Sequence, residues 1–133
     1  MQFIENIRLI KNEDLNHHGT LFAGRMAEWF VESTFLGAAK IKGEANLVCA
    51  SINDIKYFLP VESGEIITFA TKVIKVGESS IIVYGKVLNA RGQKVVEGFV
   101  RYVSVDESGR KIAHNIILDK PETDEDRELA SRI

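Results

Sequence analysis

Residues 14–32 read DLNHHGTLFAGRMAEWFVE. They combine the amide of Asn16, the adjacent imidazoles of His17 and His18, and the glycines Gly19 and Gly24. Arg25, Glu28 and Glu32 follow inside a long apolar run. His and Glu side chains move protons as general acids or bases. A glycine at a helix start lets a bound group approach the backbone closely, and the first helical N–H groups there favour negative charge. The competing reading is a loop and a cap at the start of a buried helix, with no chemistry at all.

The elements that must position these residues are legible from periodicity and punctuation. FIENIRLI (3–10) is a short apolar-rich strand, and KNEDLNHHG is loop chemistry. Leu21 to Lys40 reads as a helix, rich in Ala, Met, Glu, Leu and Phe and free of Pro. Its polar residues Arg25, Glu28 and Glu32 share one face, and the other faces are almost wholly apolar. Four β-rich segments follow, at 47–59, 65–76, 79–89 and 94–105. The turns between them are short and contain glycine, so the spacing predicts antiparallel hairpins. The tail after Pro121 is either a short surface helix or frayed. One helix cannot cover both faces of five strands, so apolar strand surface is left for a second copy of the chain.

Composition narrows the class. The chain has 133 residues, 45% hydrophobic and 27% charged, with a net charge of −2. That length suits one domain, read here as 1–120, with a C-terminal tail at 121–133. No basic excess points to nucleic acid. No uncharged apolar stretch approaches a membrane span, and charges interrupt the N-terminal MQFIENIRLI, so it does not read as a signal peptide. Three His and the single Cys49 do not assemble a metal site by spacing. The lone cysteine fits a reducing compartment, hence a cytoplasmic protein, and within its apolar strand it reads as a small core residue.

Two stretches carry a resemblance. Asn16-His17-His18-Gly19-Thr20-Leu21-Phe22-Ala23-Gly24 is similar to an N-x-x-G-T-x-F-G-G motif followed by an acid-bearing helix. Residues 50–89 hold an aromatic-x-x-P-V-x-x-G turn from Tyr57 to Gly64 and a V-G-x-x-S turn ending at Ser80. Together they resemble the hotdog-fold acyl-CoA thioesterases over residues 5–106. The resemblance implies an α+β hotdog fold, with one long central helix wrapped by a five-stranded, mainly antiparallel sheet. It implies hydrolysis of an acyl-CoA thioester to free acid and CoA; no cofactor or metal is expected, since the sequence lacks ligand clusters and a Gly-rich phosphate loop followed by Lys. It also implies a homodimer or a higher assembly of four or six chains, with the site shared between chains. In two places the chain departs from the motif. Ala23 stands for the first of the paired glycines, and Val31 stands where the family carries its catalytic acid, the next residue being Glu32.

Thioester hydrolysis needs donors for the developing oxyanion, a carboxylate to activate water or attack directly, and a polar group to orient the reactants. The catalytic candidates are Gly24, Glu32 and Asn16. His17, Ala23, Phe58, Ser79 and Ser80 are the substrate-binding candidates. Each also has a plainer reading: Asn16 as a turn residue, Glu28 and Glu32 as a solvated stripe with Glu28 paired to Arg25, Ser79 and Ser80 as hairpin residues, Phe58 as strand-end packing. Two further functions compete. A hotdog dehydratase of 3-hydroxyacyl thioesters would use His18 with Glu32. A catalytically weakened hotdog protein that binds acyl-CoA would follow from Val31.

Overall fold

The computed structural model describes residues 2–118 and 123–133. The elements run β1 (Ile4–Leu9), a 3₁₀ turn at Asn12–Asp14, α1 (Ala23–Lys42), β2 (Leu47–Tyr57), β3 (Ile66–Val76), β4 (Ser80–Leu88), β5 (Lys94–Ser104) and α2 (Asp124–Ser131). The strands form one antiparallel sheet in the order β1-β3-β4-β5-β2. Thus α1 sits two residues later than its composition predicts. It stops at Gly43, whose left-handed φ of 87° lets its N–H reach Ala39 O at 2.8 Å.

Sheet and helix meet through missing side chains. Gly85 of β4 and Gly98 of β5 are cross-strand partners. A Cβ on Gly85 would lie 2.7 Å from the Phe30 ring, and one on Gly98 would lie 3.3 Å from it. The two glycines therefore form a dent that seats Phe30. Farther along α1, a Cβ on Gly37 would meet Thr71 Oγ1 of β3 at 2.6 Å. Met26, Trp29, Phe30 and Ala38 bury themselves against Phe69, Val83, Val96 and Val100 on the inner face. Tyr102 Oη donates to Val31 O at 2.8 Å and lies 2.8 Å from Thr34 Oγ1, so the buried phenol is satisfied.

The outer face is not left bare, as a one-helix count implies. There α2 covers it, with Leu129 packed on Ile74, Tyr84 and Phe99. Thr123 caps α2 by accepting from Asp126 N at 3.0 Å; Pro121 lies outside the described residues. Two ion pairs flank Leu129. Lys72 Nζ is 2.7 Å from Asp126 Oδ1, with side chains only 7% and 1% exposed. Arg132 reaches Glu97 at 3.2 Å, and Tyr84 and Lys94 also donate to that carboxylate at 2.8 and 3.0 Å. Burial alone would raise the Glu97 pKa, but hydrogen bonds from Arg132, Tyr84 and Lys94 outweigh it and hold the group at about 2. Tyr84 moves the other way, raised by burial and by the Glu97 carboxylate.

At the sheet edges the burial differs from the sequence reading. β2 has a neighbour on one side only, and nearly all its residues are exposed within the chain. Cys49, expected in the core, is exposed for that reason. A bulge between Asn53 and Lys56, with Asp54 at φ 52°, brings Ile55 over Gly98.

Gly85→Ala forces its new methyl into Phe30 and should cost about 1–3 kcal/mol, the usual scale of overpacking. Urea unfolding measures the loss, and adding Phe30→Leu should recover part of it. For Glu97 the folded pKa lies below its ordinary 4.5, so its stabilisation is complete above about pH 4.5 and lost as pH falls toward 2. Unfolding free energy should therefore drop by up to roughly 3 kcal/mol across that window. Glu97→Gln should flatten the drop, and an unchanged profile in that variant would exclude Glu97 as its source.

Candidate functional site

The loop before α1 is held by its own asparagine. Asn16 Oδ1 accepts from His18 N at 2.9 Å and Thr20 N at 3.2 Å, while Nδ2 donates to Thr20 Oγ1 at 3.2 Å. Gly19, at φ 81°, closes the turn, and Asn16 N donates to Thr20 O at 2.7 Å. Asn16 thus performs the loop-forming work of an Asx turn. His17 and His18 are exposed beside it, with ring centroids 3.9 Å apart. The loop is tied to the body where Leu21 N donates to Val61 O (2.7 Å) and Phe22 N to Asp14 O (2.9 Å).

These ties deliver an uncapped helix start. Phe22 offers no side-chain cap, and the first turn carries no acid. The ladder begins with Met26 N donating to Phe22 O at 3.1 Å. The N–H groups of Ala23, Gly24 and Arg25 precede it and have no intrahelical acceptor. The Phe22 ring covers the α-carbon of Gly24, where a Cβ would meet it at 2.7 Å. Tyr57, at the end of β2, donates its phenol to Ala23 O at 2.8 Å. Burial raises the Tyr57 pKa, so the phenol stays a donor at neutral pH. Beside it opens a cavity of about 290 Å³, lined by Leu21, Met26, Tyr57, Phe58, Leu59, Pro60, Val61 and Val96. The structure therefore puts Phe58 in the cavity wall, and Tyr57 links that wall to Ala23 O; Gly24 is the next residue and does not line the cavity. The sequence marked Tyr57 only as aromatic, and its hydroxyl was the one available signal.

The carboxylates lie elsewhere. Glu32 accepts from Arg8 of β1 at 3.0 Å, its side chain 61% exposed, and the Arg8 guanidinium stacks 4.6 Å over Trp29. At 100° per residue, Val31 lies within about 20° of Gly24 around the helix axis, whereas Glu32 lies about 80° away, toward β1. Arg25 turns to Asp14, 3.5 Å away, rather than to Glu28, which is exposed. His18 lies against His17 while Glu32 is held by Arg8, so the His–Glu pair a dehydratase requires is not assembled within the chain. Ser80 closes the β3–β4 hairpin, its Oγ accepting from Gly77 N at 3.2 Å, and Ser79 O accepts from Ser104 N at 2.7 Å. That hairpin stands at the far end of β4 from Leu88, about 27 Å away along the strand. Ser79 and Ser80 therefore do not meet Gly24 within one chain. Among the described residues, no three His, Cys, Asp or Glu side chains converge as a metal site would require, and no helix is long and apolar enough to cross a membrane.

Known proteins resemble this chain in sequence and fold. An acyl-CoA thioester hydrolase of Buchnera aphidicola subsp. Schizaphis graminum, itself described as uncharacterized, is 29% identical over 114 residues, covering 77% of this chain and 81% of the relative. One from Bacillus subtilis, described in the same way, is 25% identical over 118 residues, covering 85% and 67%. The crystal structure of an apo-hexameric acyl-CoA thioesterase superposes with a TM-score of 0.87 at 28% identity, covering 97% of this chain and 84% of that one. The α+β architecture is accordingly the hotdog fold, as the two motifs imply. The thioesterase superfamily matches residues 18–96, more than half the chain. With the glycine-bearing helix start, the apolar cavity beside it and the wrapped central helix all in place, this chain belongs to the thioesterase superfamily.

Proposed function

We propose that the protein hydrolyses an acyl-CoA thioester to free acid and CoA. The observation that carries this reading is the side-chain-uncapped start of α1, flanked by an apolar cavity that Leu21, Met26 and Phe58 line and that Tyr57 ties to Ala23 O. A thioester carbonyl placed there meets backbone N–H groups at the positive end of the helix, and these stabilise the oxyanion that forms when water attacks. The acyl chain enters the cavity past Phe58. Asn16 holds the loop that presents the helix start. The relatives' descriptions as acyl-CoA thioester hydrolases support the substrate class.

Water activation is the restrained step. Glu32 serves as base only by leaving Arg8 and crossing about 80° of helix surface, and Val31 offers no carboxylate in its place. We therefore assign this chain slow hydrolysis carried by carbonyl activation. That assignment accommodates the alternative of an acyl-CoA binder with weakened activity.

The free β2 edge argues for a second copy. Val48, Ile52, Tyr57 and Phe58 are half-exposed along it, and a long bare edge is a template for pairing. Antiparallel pairing of β2 with its symmetry mate reverses the ends of the sheet. It would carry the mate's Ser79–Ser80 hairpin toward the Gly24 end, and with it the proposed CoA contacts. A homodimer is the minimum, and four or six chains extend it, as in the hexameric neighbour. The reading places the protein in the cytoplasm, where an exposed thiol such as Cys49 stays reduced.

A panel of acyl-CoAs with a thiol-detecting reagent tests the activity, and CoA release from at least one member is expected. Glu32→Gln should lower turnover by less than about threefold, and Val31→Asp should raise it about tenfold or more by supplying a general base. A loss of roughly 100-fold in Glu32→Gln would instead return Glu32 to the role of base. Light scattering at micromolar concentration should give a dimer or larger, and a monomer would sink the shared-site arrangement.

A further inference from the structure

We propose that Tyr57 is a positioning residue for the carbonyl-binding amide: by donating to Ala23 O, its phenol orients and polarises the peptide unit whose N–H belongs to Gly24. The proposal rests on the hydrolase reading above.

Ala23 O and Gly24 N–H are the two ends of one amide. Tyr57 Oη lies 2.8 Å from that oxygen, across 34 residues of chain. In the helix ladder the same oxygen faces the N–H four residues on. A carbonyl has two lone pairs, so the phenol adds to the ladder without replacing it. A second donor on the oxygen draws charge through the amide and leaves its N–H more positive. Such cooperative strengthening is about 10–30% per bond.

Orientation matters as much. On its N–H side the first turn lacks ladder partners, and Phe22 supplies no side-chain cap. Tyr57 is itself well anchored. It pairs with Val96 of β5, and the next residue, Phe58, donates its N–H to Val95 O at 2.8 Å. One ring therefore ties the amide to the sheet while also lining the cavity with Phe58. The phenol fixes the distance between the carbonyl-binding donor and the wall against which the acyl chain lies.

Tyr57→Phe keeps the ring and deletes only the hydroxyl. Removing an entire oxyanion donor costs 10²–10³-fold in kcat. Weakening one by that fraction should lower kcat by about two- to eightfold, with KM changed less than kcat. In ¹⁵N-labelled protein the Gly24 amide proton should move upfield, while the thermal midpoint stays within a few degrees of the parent. Unchanged kcat overturns the proposal. So does an unchanged Gly24 resonance, and so does a raised KM with kcat intact, which makes Tyr57 only a cavity wall. If the parent protein hydrolyses no acyl-CoA, the hydrolase reading fails by itself, and the Gly24 resonance in Tyr57→Phe still decides whether the phenol polarises that amide.

Discussion

Phe30 seated between Gly85 and Gly98 is the contact on which the remaining geometry depends. Two adjacent strands give up their side chains at the same cross-strand position, and the helix comes down onto bare backbone. With ordinary side chains there, α1 would ride higher, and Thr71 would no longer touch Gly37. The β2 bulge that lays Ile55 over Gly98 belongs to the same fit. It also sets where β2 ends. Tyr57 is two residues beyond Ile55, and its hydroxyl reaches the first turn of the helix. The site is thus built by packing some distance from it, which is usual where a fold must hold an amide and a pocket wall in fixed relation.

Most of this frame was legible in the sequence because hydrophobic periodicity and glycine punctuation act locally. The four strands after the helix were recognisable to within a residue or two by their Val, Ile and Thr content and by the short turns between them. The helix boundaries were two residues early. Leu21 and Phe22 have helix-compatible side chains, yet their N–H groups are committed to Val61 O and Asp14 O in a segment where Phe22 is extended at ψ 128°. That commitment is a tertiary fact, invisible to a propensity argument.

The site was less legible, and the reasons are specific. Glu32 falls next to the family's acid position in sequence, but one residue turns a helical side chain through about 100°. That turn is enough to give it to Arg8, a partner 24 residues away that no local pattern announces. Asn16 matches its motif, but its amide is already engaged by the backbone of its own loop. Tyr57 and Ala23 are separated by 34 residues and meet only where the end of β2 reaches the start of α1. Charge pairs and single hydrogen bonds between distant elements leave no period in the sequence, whereas apolar faces do.

The tail illustrates how such unannounced pairs carry direction. An acid of α2, Asp126, precedes Leu129, and a base at its C-cap, Arg132, follows it, while the sheet offers Lys72 to the first and Glu97 to the last. Leu129 alone would fit the apolar patch with the helix running either way. Turned end for end, the helix would set Asp126 against Glu97 and Arg132 against Lys72, two like-charge encounters in a poorly solvated place, which cost several kcal/mol. The outer face therefore reads the helix as a vector: it distinguishes head from tail, a property that neither the apolar contact nor either ion pair possesses by itself.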